Sequence, residues 1–256
     1  MANEFLAWLF LGILGAILGS FCASFASRIC EKKPLLKGRS FCFSCERKLT
    51  ILELVPIFSY LFLKGRCKIC GVKIPFLAFL SEILGIFLMY IAFFYTQNLK
   101  NFVFFAIFLF VCLSLSLIDL KLKAVPSILL WFAFFCAFLV GVDLDYIIDS
   151  TAYFFFDAAV FAGFVFLLKS FVFFLKNFKS QEVEENLGDA DIILLAAICG
   201  IFGFFDTLIV FFLAAFLSLP FFYFALKRGQ KELAFLPFIS FAMLIICVYL
   251  SFGRHL

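Results

Sequence analysis

The chain has 256 residues, of which 66% are hydrophobic and 45 are phenylalanine, and its mean hydropathy is strongly positive. That composition excludes a soluble globular domain and places the chain among polytopic membrane proteins. A formal net charge of +4 excludes little by itself; the information lies in where the charges fall.

The first apolar run, 5–29, is too long for the core of a cleaved signal, and the leading MANE carries no basic side chain. It reads as a retained first helix. Gly12, Gly15 and Gly19 give it a small-residue face suited to close helix packing. Arg28, at its end, reads either as a cation snorkelling to phosphates or as a binding residue.

The segment 30–75 is polar and basic. It holds Cys42-Phe43-Ser44-Cys45 and Cys67-Lys68-Ile69-Cys70-Gly71, two CxxC pairs separated by 21 residues. Four thiolates on two tight turns supply a tetrahedral set for zinc, with disulfides or free thiols as the competing reading. A segment of about 45 residues has too little core to fold unaided, so a metal there is a structural staple and carries no catalytic role. The other six cysteines, Cys22, Cys30, Cys112, Cys136, Cys199 and Cys247, fall in or beside apolar runs and read as small core residues.

The spacing then predicts helices over 76–96, 101–118, 127–142, 152–173, 191–206, 207–226 and 234–252, for eight spans in all. The fold class expected is therefore an all-α polytopic membrane protein with an insertion after its first helix. Its domains are a first helix, 1–29, a tetracysteine segment, 30–75, and a seven-helix membrane domain, 76–256. The phenylalanines read as lipid-facing or inter-helix filler. Glu82, six residues into the second span, reads either as reaching back to the interface or as hydrogen-bonding near an active site. The stretch 176–188, KNFKSQEVEENLG, reads as a mobile loop leading into the sixth span.

Eight spans put both termini on one side. Lys32, Lys33, Lys37, Arg39, Arg47, Lys48, Lys64, Arg66, Lys68, Lys73, Lys121, Lys123, Lys176, Lys179, Lys227, Arg228 and Lys231 then share the other side. Little more than Lys100 and Arg254 stays with the acidic turn of Asp143, Asp145 and Asp149. The positive-inside rule makes the basic side cytoplasmic and the termini external.

That orientation gives Asp119, at the end of the third span, and Asp189 and Asp191, at the start of the sixth, one shared cytoplasmic depth. Each has a plain structural reading: Asp119 as a helix-end acid paired with Lys121 or Lys123, the others as helix caps. Two carboxylates meeting across a bundle would instead be unable to ionise together, giving a general acid and a general base in one site. Histidine-dependent hydrolysis lacks a base, because the single histidine, His255, is the penultimate residue and reads as a solvated tail. No GxSxG, GxxxxGK[ST] or HExxH pattern occurs. A proton- or ion-coupled membrane transporter fits poorly with acids gathered at one face, and a zinc-knuckle membrane scaffold would make them dispensable.

At this point the residues resemble a known family, the type IV prepilin leader peptidases. GAILGSFCASFASRI is similar to their N-terminal signature, Cys42 to Cys70 to their paired CxxC element, and ELVPIFSYLFLKGRCKICG to the segment entering the second pair. Asp119 with Pro126 resembles their first catalytic motif, although Ser127 stands where an acid often follows the proline. GDADIILLAAICGIFG resembles the second, GxGD, with Ala190 in place of glycine and Ile193 where a lysine is often found. The resemblance implies eight transmembrane helices, a cytoplasmic zinc site and a bacterial inner-membrane location. It also implies aspartyl endopeptidase cleavage of the short basic leader of type IV pilin or pseudopilin precursors, before a Phe or similar residue. In many members methylation of the new N-terminus by S-adenosylmethionine follows; the sequence itself carries no nucleic-acid motif, so no nucleic-acid partner is expected. The glycine register favours Asp191 over Asp189, so the catalytic pair expected is Asp119 and Asp191, with Asp189 as a neighbouring like charge or cap.

Overall fold

A computed structural model describes residues 2–34, 42, 44, 45, 47–143, 145–177, 188–229 and 233–253. Among them the chain is helical: α1 (Ala2–Cys30), α2 (Phe58–Phe62), α3 (Phe76–Tyr95), α4 (Leu99–Leu122), α5 (Ser127–Gly141), α6 (Ile147–Asn177), α7 (Asp189–Phe202), α8 (Phe204–Lys227) and α9 (Leu236–Gly253). The stretch from Cys42 to Pro75 adds one 3-10 turn, Ile51–Leu54, and an antiparallel bridge between Arg66 and Lys73. Lys37, Arg39, Lys179, Lys231, Arg254, His255 and most of the loop expected at 176–188 lie outside the described residues.

Each of the eight apolar runs is a helix. Five are long and apolar enough to cross a membrane: Phe5–Cys30, Phe76–Tyr95, Leu99–Leu122, Ile147–Phe174 and Phe204–Lys227. The protein is a multi-pass membrane protein. Helices α5, α7 and α9 are shorter, at 15, 14 and 18 residues. Several ends differ from the hydropathy reading because a helix does not stop where apolar residues stop. α4 runs on to Leu122, so Asp119 lies within its last turn rather than closing it, and α6 begins at Ile147 instead of 152. The boundary between the sixth and seventh runs falls at Gly203, whose φ of +82° ends α7 where a side chain would be strained.

Helix α4 is the centre of the bundle. Phe105, Phe108, Leu109, Leu115 and Ile118 on it are fully buried, and α1, α3, α5 and α9 pack around it. Helices α6 and α8 instead expose Phe155, Phe156, Phe166, Phe171, Phe212, Phe216 and Phe224, the surface that faces lipid in a membrane. The glycine face of α1 meets α3 backbone to backbone: a Cβ on Gly19 would lie 2.1 Å from the Ser81 carbonyl oxygen, and one on Gly85 would lie 2.2 Å from that of Gly15. No larger residue fits while these helices keep their spacing. On the other side, Phe154 of α6 fills a notch left by Gly141 of α5 and Gly200 of α7.

The helix ends therefore fall into two groups. The C-terminal ends of α4, α6 and α8 share one end of the bundle with the N-terminal ends of α5, α7 and α9, and the cysteine segment joins α1 to α3 there. At the other end the Lys100 ammonium hydrogen-bonds the Val142 carbonyl, next to Asp143.

Candidate active site

Asp119 and Asp191 are among the few buried charged side chains, 7% and 6% exposed. Asp119 is held by a helix it is far from in sequence: the Leu236 N–H, in the first turn of α9, donates to its Oδ2 at 3.2 Å. Lys121 does not serve as its partner, because that ammonium reaches the Ser27 hydroxyl of α1 at 3.1 Å. Asp191 is the third residue of α7, and its Oδ2 accepts the Gly188 N–H at 3.2 Å. The capping role thus belongs to Asp191 rather than Asp189. Each carboxylate faces the positive end of a helix dipole, α9 for one and α7 for the other.

Asp119 is close enough for its charge to act on Asp191, and both buried carboxylates lie at one end of an apolar bundle. Gly188 is part of that geometry. Its φ of −72° is open to any residue, but a Cβ there would sit 3.3 Å from Asp191 Oδ2. The glycine of GDAD therefore leaves room for the carboxylate rather than supplying an unusual turn.

Asp189 is turned to solvent. It is 84% exposed and ion-paired with Lys169 of α6, Nζ to Oδ1 2.7 Å. Lys169 escaped the motif reading, although one signal was present: it is the one basic residue inside the apolar run 152–173.

The four sulfurs of Cys42, Cys45, Cys67 and Cys70 lie within 4.8 Å of one another. A tetrahedral metal site with bonds of about 2.3 Å asks for sulfurs about 3.8 Å apart, so the set fits a thiolate-bound metal. The two turns repeat one design: the Cys42 N–H bonds the Arg47 carbonyl and the Cys67 N–H bonds the Val72 carbonyl, both at 2.9 Å. Gly71, with φ of +70°, completes the second. Backbone N–H groups of Cys70 and Ile69 aim at the Cys67 sulfur and bring its thiol down to about 6, and those of Cys45 and Ser44 lower Cys42 likewise. For Cys70 the Val72 N–H acts in the same sense, but desolvation and the neighbouring sulfurs prevail and push it up to about 11. Arg47 forks onto Glu53 at 2.7 and 2.9 Å and reaches the Cys67 sulfur at 3.8 Å, placing a cation beside the thiolates.

Glu82 fastens this module to the membrane helices. It accepts the Ser20 hydroxyl of α1 at 2.8 Å and the Ile57 N–H, just before α2, at 2.6 Å. Of its two expected readings, the reach back to the interface is the one the geometry matches. Between the module, α1 and α3 lies a cleft of about 330 Å³, lined by Ser20, Ser27, Arg28, Tyr60 and Lys121 among others.

Two family models match the chain in succession. Residues 13–96 match the Bacterial Peptidase A24 N-terminal domain, and residues 103–223 match the Type IV leader peptidase family. Among curated proteins the chain is 28% identical over 235 residues to a prepilin leader peptidase/N-methyltransferase of Vibrio cholerae, covering 87% of this chain and 88% of that one. It is 28% identical over 231 residues to one of Dichelobacter nodosus, covering 86% and 76%. A Bacillus subtilis protein of the same name is 48% identical over 67 residues, 26% of this chain and 27% of that one. No solved structure matches the chain.

Proposed function

The chain belongs to the type IV leader peptidase family, with the two family domains together spanning most of its length, and from that premise we propose that it is a membrane-embedded aspartyl endopeptidase. Its substrates are type IV pilin or pseudopilin precursors, from which it removes the short basic leader at the cytoplasmic face of the bacterial inner membrane. The observation that carries this reading is the pair of buried carboxylates, Asp119 on α4 and Asp191 on α7, in electrostatic range at one end of the bundle.

Such a pair in a low-dielectric niche holds one proton between its members. The ionised carboxylate takes a proton from water as the water oxygen bonds to the peptide carbonyl carbon. The protonated one gives its proton to the amide nitrogen as the C–N bond breaks, which restores a singly protonated pair. The helix ends of α7 and α9 keep both groups in place through this exchange.

A zinc ion held by Cys42, Cys45, Cys67 and Cys70 would staple the two turns of the module to each other, while Glu82 ties the module to α1 and α3. The termini lie on the external side and the eight helices all span. The relatives' names include N-methyltransferase, and this chain is proposed to methylate the new N-terminus with S-adenosylmethionine as donor. The test of the peptidase is direct: detergent-solubilised protein and a pilin-like precursor are incubated, and leader release is followed by mass spectrometry. Asp119→Asn and Asp191→Asn are each expected to lower the rate by about 10³-fold or more. Cleavage at the wild-type rate by either variant would remove that acid from the mechanism.

A further inference from the structure

The cysteine module carries an apolar surface that no described residue covers. On α2, Phe58, Leu61 and Phe62 are 62%, 58% and 83% exposed, and Leu54 and Val55, just before it, are exposed as well. Three apolar side chains at i, i+3 and i+4 make one stripe of a helix, the stripe that ordinarily packs into a core. The other side of α2 does pack: the Tyr60 ring stacks on Phe79 of α3 with centroids 4.5 Å apart, and Ser59 and Leu63 line the cleft between the module, α1 and α3. So α2 turns its more polar side inward and its apolar side out, the reverse of what a surrounding of water favours.

The depth of that surface is set by α3. The Ile57 N–H, one residue before α2, donates to the Glu82 carboxylate at 2.6 Å, and Tyr60 meets Phe79. Phe79 and Glu82 lie three and six residues inside a helix that is long and apolar enough to cross the membrane from its first residue, Phe76. At a rise of 1.5 Å per residue, α2 is held about 5 to 9 Å inward of the start of that span. Phe76 is itself exposed and contacts Phe79 with ring centroids 6.0 Å apart, so aromatic contact runs from the outer face of α3 to α2. Exposed basic residues, Lys64, Arg66, Lys68 and Lys73, fill the stretch between α2 and α3, the charge that flanks a helix lying in a lipid interface.

We propose that α2 is an interfacial helix, with Phe58, Leu61 and Phe62 seated among the acyl chains of the leaflet on the module's side of the bundle. The cysteine module then lies on the membrane instead of standing off it in water. Lipid is the occupant, in preference to a second copy of the chain or a segment of a precursor, because at the depth fixed by Phe79 and Glu82 lipid surrounds every copy. The inference is independent of the peptidase reading.

The test uses the full chain in nanodiscs of phosphatidylcholine and phosphatidylglycerol, one copy per disc, with no precursor present. Trp8→Phe and Trp131→Phe remove the native tryptophans, and Phe58→Trp or Phe62→Trp then supplies one reporter. Emission from each reporter is expected to fall about twofold when the acyl chains are brominated near their carbonyl ends, and to be shielded from acrylamide as well as that of Phe212→Trp on the outer face of α8. A second measurement leaves α2 unaltered: hydroxyl-radical footprinting of the wild type in the same discs is expected to modify Phe62 as slowly as Phe212. Brominated lipid without effect on both reporters overturns the proposal. Acrylamide that then reaches them puts the face in water, and acrylamide that does not puts protein over it. Modification of Phe62 as fast as a phenylalanine in an unfolded peptide overturns the proposal equally.

Discussion

Asp191 satisfies a helix terminus and stands in the proposed dyad with the same carboxylate, and the glycine three residues before it is what permits both. Any side chain at position 188 meets Asp191 Oδ2 at 3.3 Å, tighter than a carboxylate comfortably allows, so the carboxylate must give by a few tenths of an ångström. A displacement on this scale disturbs a proton-transfer geometry well before it disturbs a fold. Gly188→Ala is therefore expected to lower leader cleavage about tenfold while leaving the melting temperature of the solubilised protein within a degree or two. Equal losses of activity and stability would place the role of Gly188 in folding alone. Ala190, which departs from the glycine of the family motif, is an ordinary helical residue of α7, so the departure costs the backbone nothing.

At the scale of elements, the cysteine module is two similar turns clamped by one ion pair. Arg47 holds Glu53 down to about 2, below its ordinary 4.5, with the Thr50 N–H and hydroxyl assisting. Because the folded value is the lower one, the pair contributes fully above pH 4.5, and its contribution disappears as the pH falls toward about 2. Metal binding needs thiolates and fails earlier, as protons compete for the sulfurs. On acidification the protein is thus expected to release its metal first and to keep amide-exchange protection over 50–54 to lower pH, whereas Glu53→Gln should lose both together. Metal analysis alongside hydrogen exchange reads the two transitions, and simultaneous loss in the wild type would show that the ion pair has no standing of its own. At neutral pH about one metal per chain is expected, and Cys45→Ser combined with Cys67→Ser should abolish it.

Over the whole molecule, the expected helices and the cysteine set were legible because each is a local property: a run of apolar residues, or a spacing of thiols. The shared depth of Asp119 and Asp191 was legible by counting spans. What fastens those acids was not, since the Leu236 N–H reaches Asp119 across 117 residues and Lys169 reaches Asp189 across 20, and such pairings exist only once helices pack. Helix ends were misjudged for a related reason: α4 keeps its hydrogen bonds past Asp119 to Leu122, which hydropathy does not register. Packing also decides the sharpest whole-molecule expectation. Gly85→Val places atoms 2.2 Å from the Gly15 carbonyl, so α1 and α3 must separate, and a fall of several degrees in melting temperature with loss of bound metal is expected. Metal retained at full occupancy would mean that the module does not depend on that helix pair. The Glu82 tie carries this dependence into biogenesis. Ser20, Ile57 and Glu82 belong to three successive parts of the nascent chain, and their junction forms only when α3 has entered the bilayer beside α1. The first 95 residues therefore contain every partner of this junction, and it needs no contribution from the later helices to close.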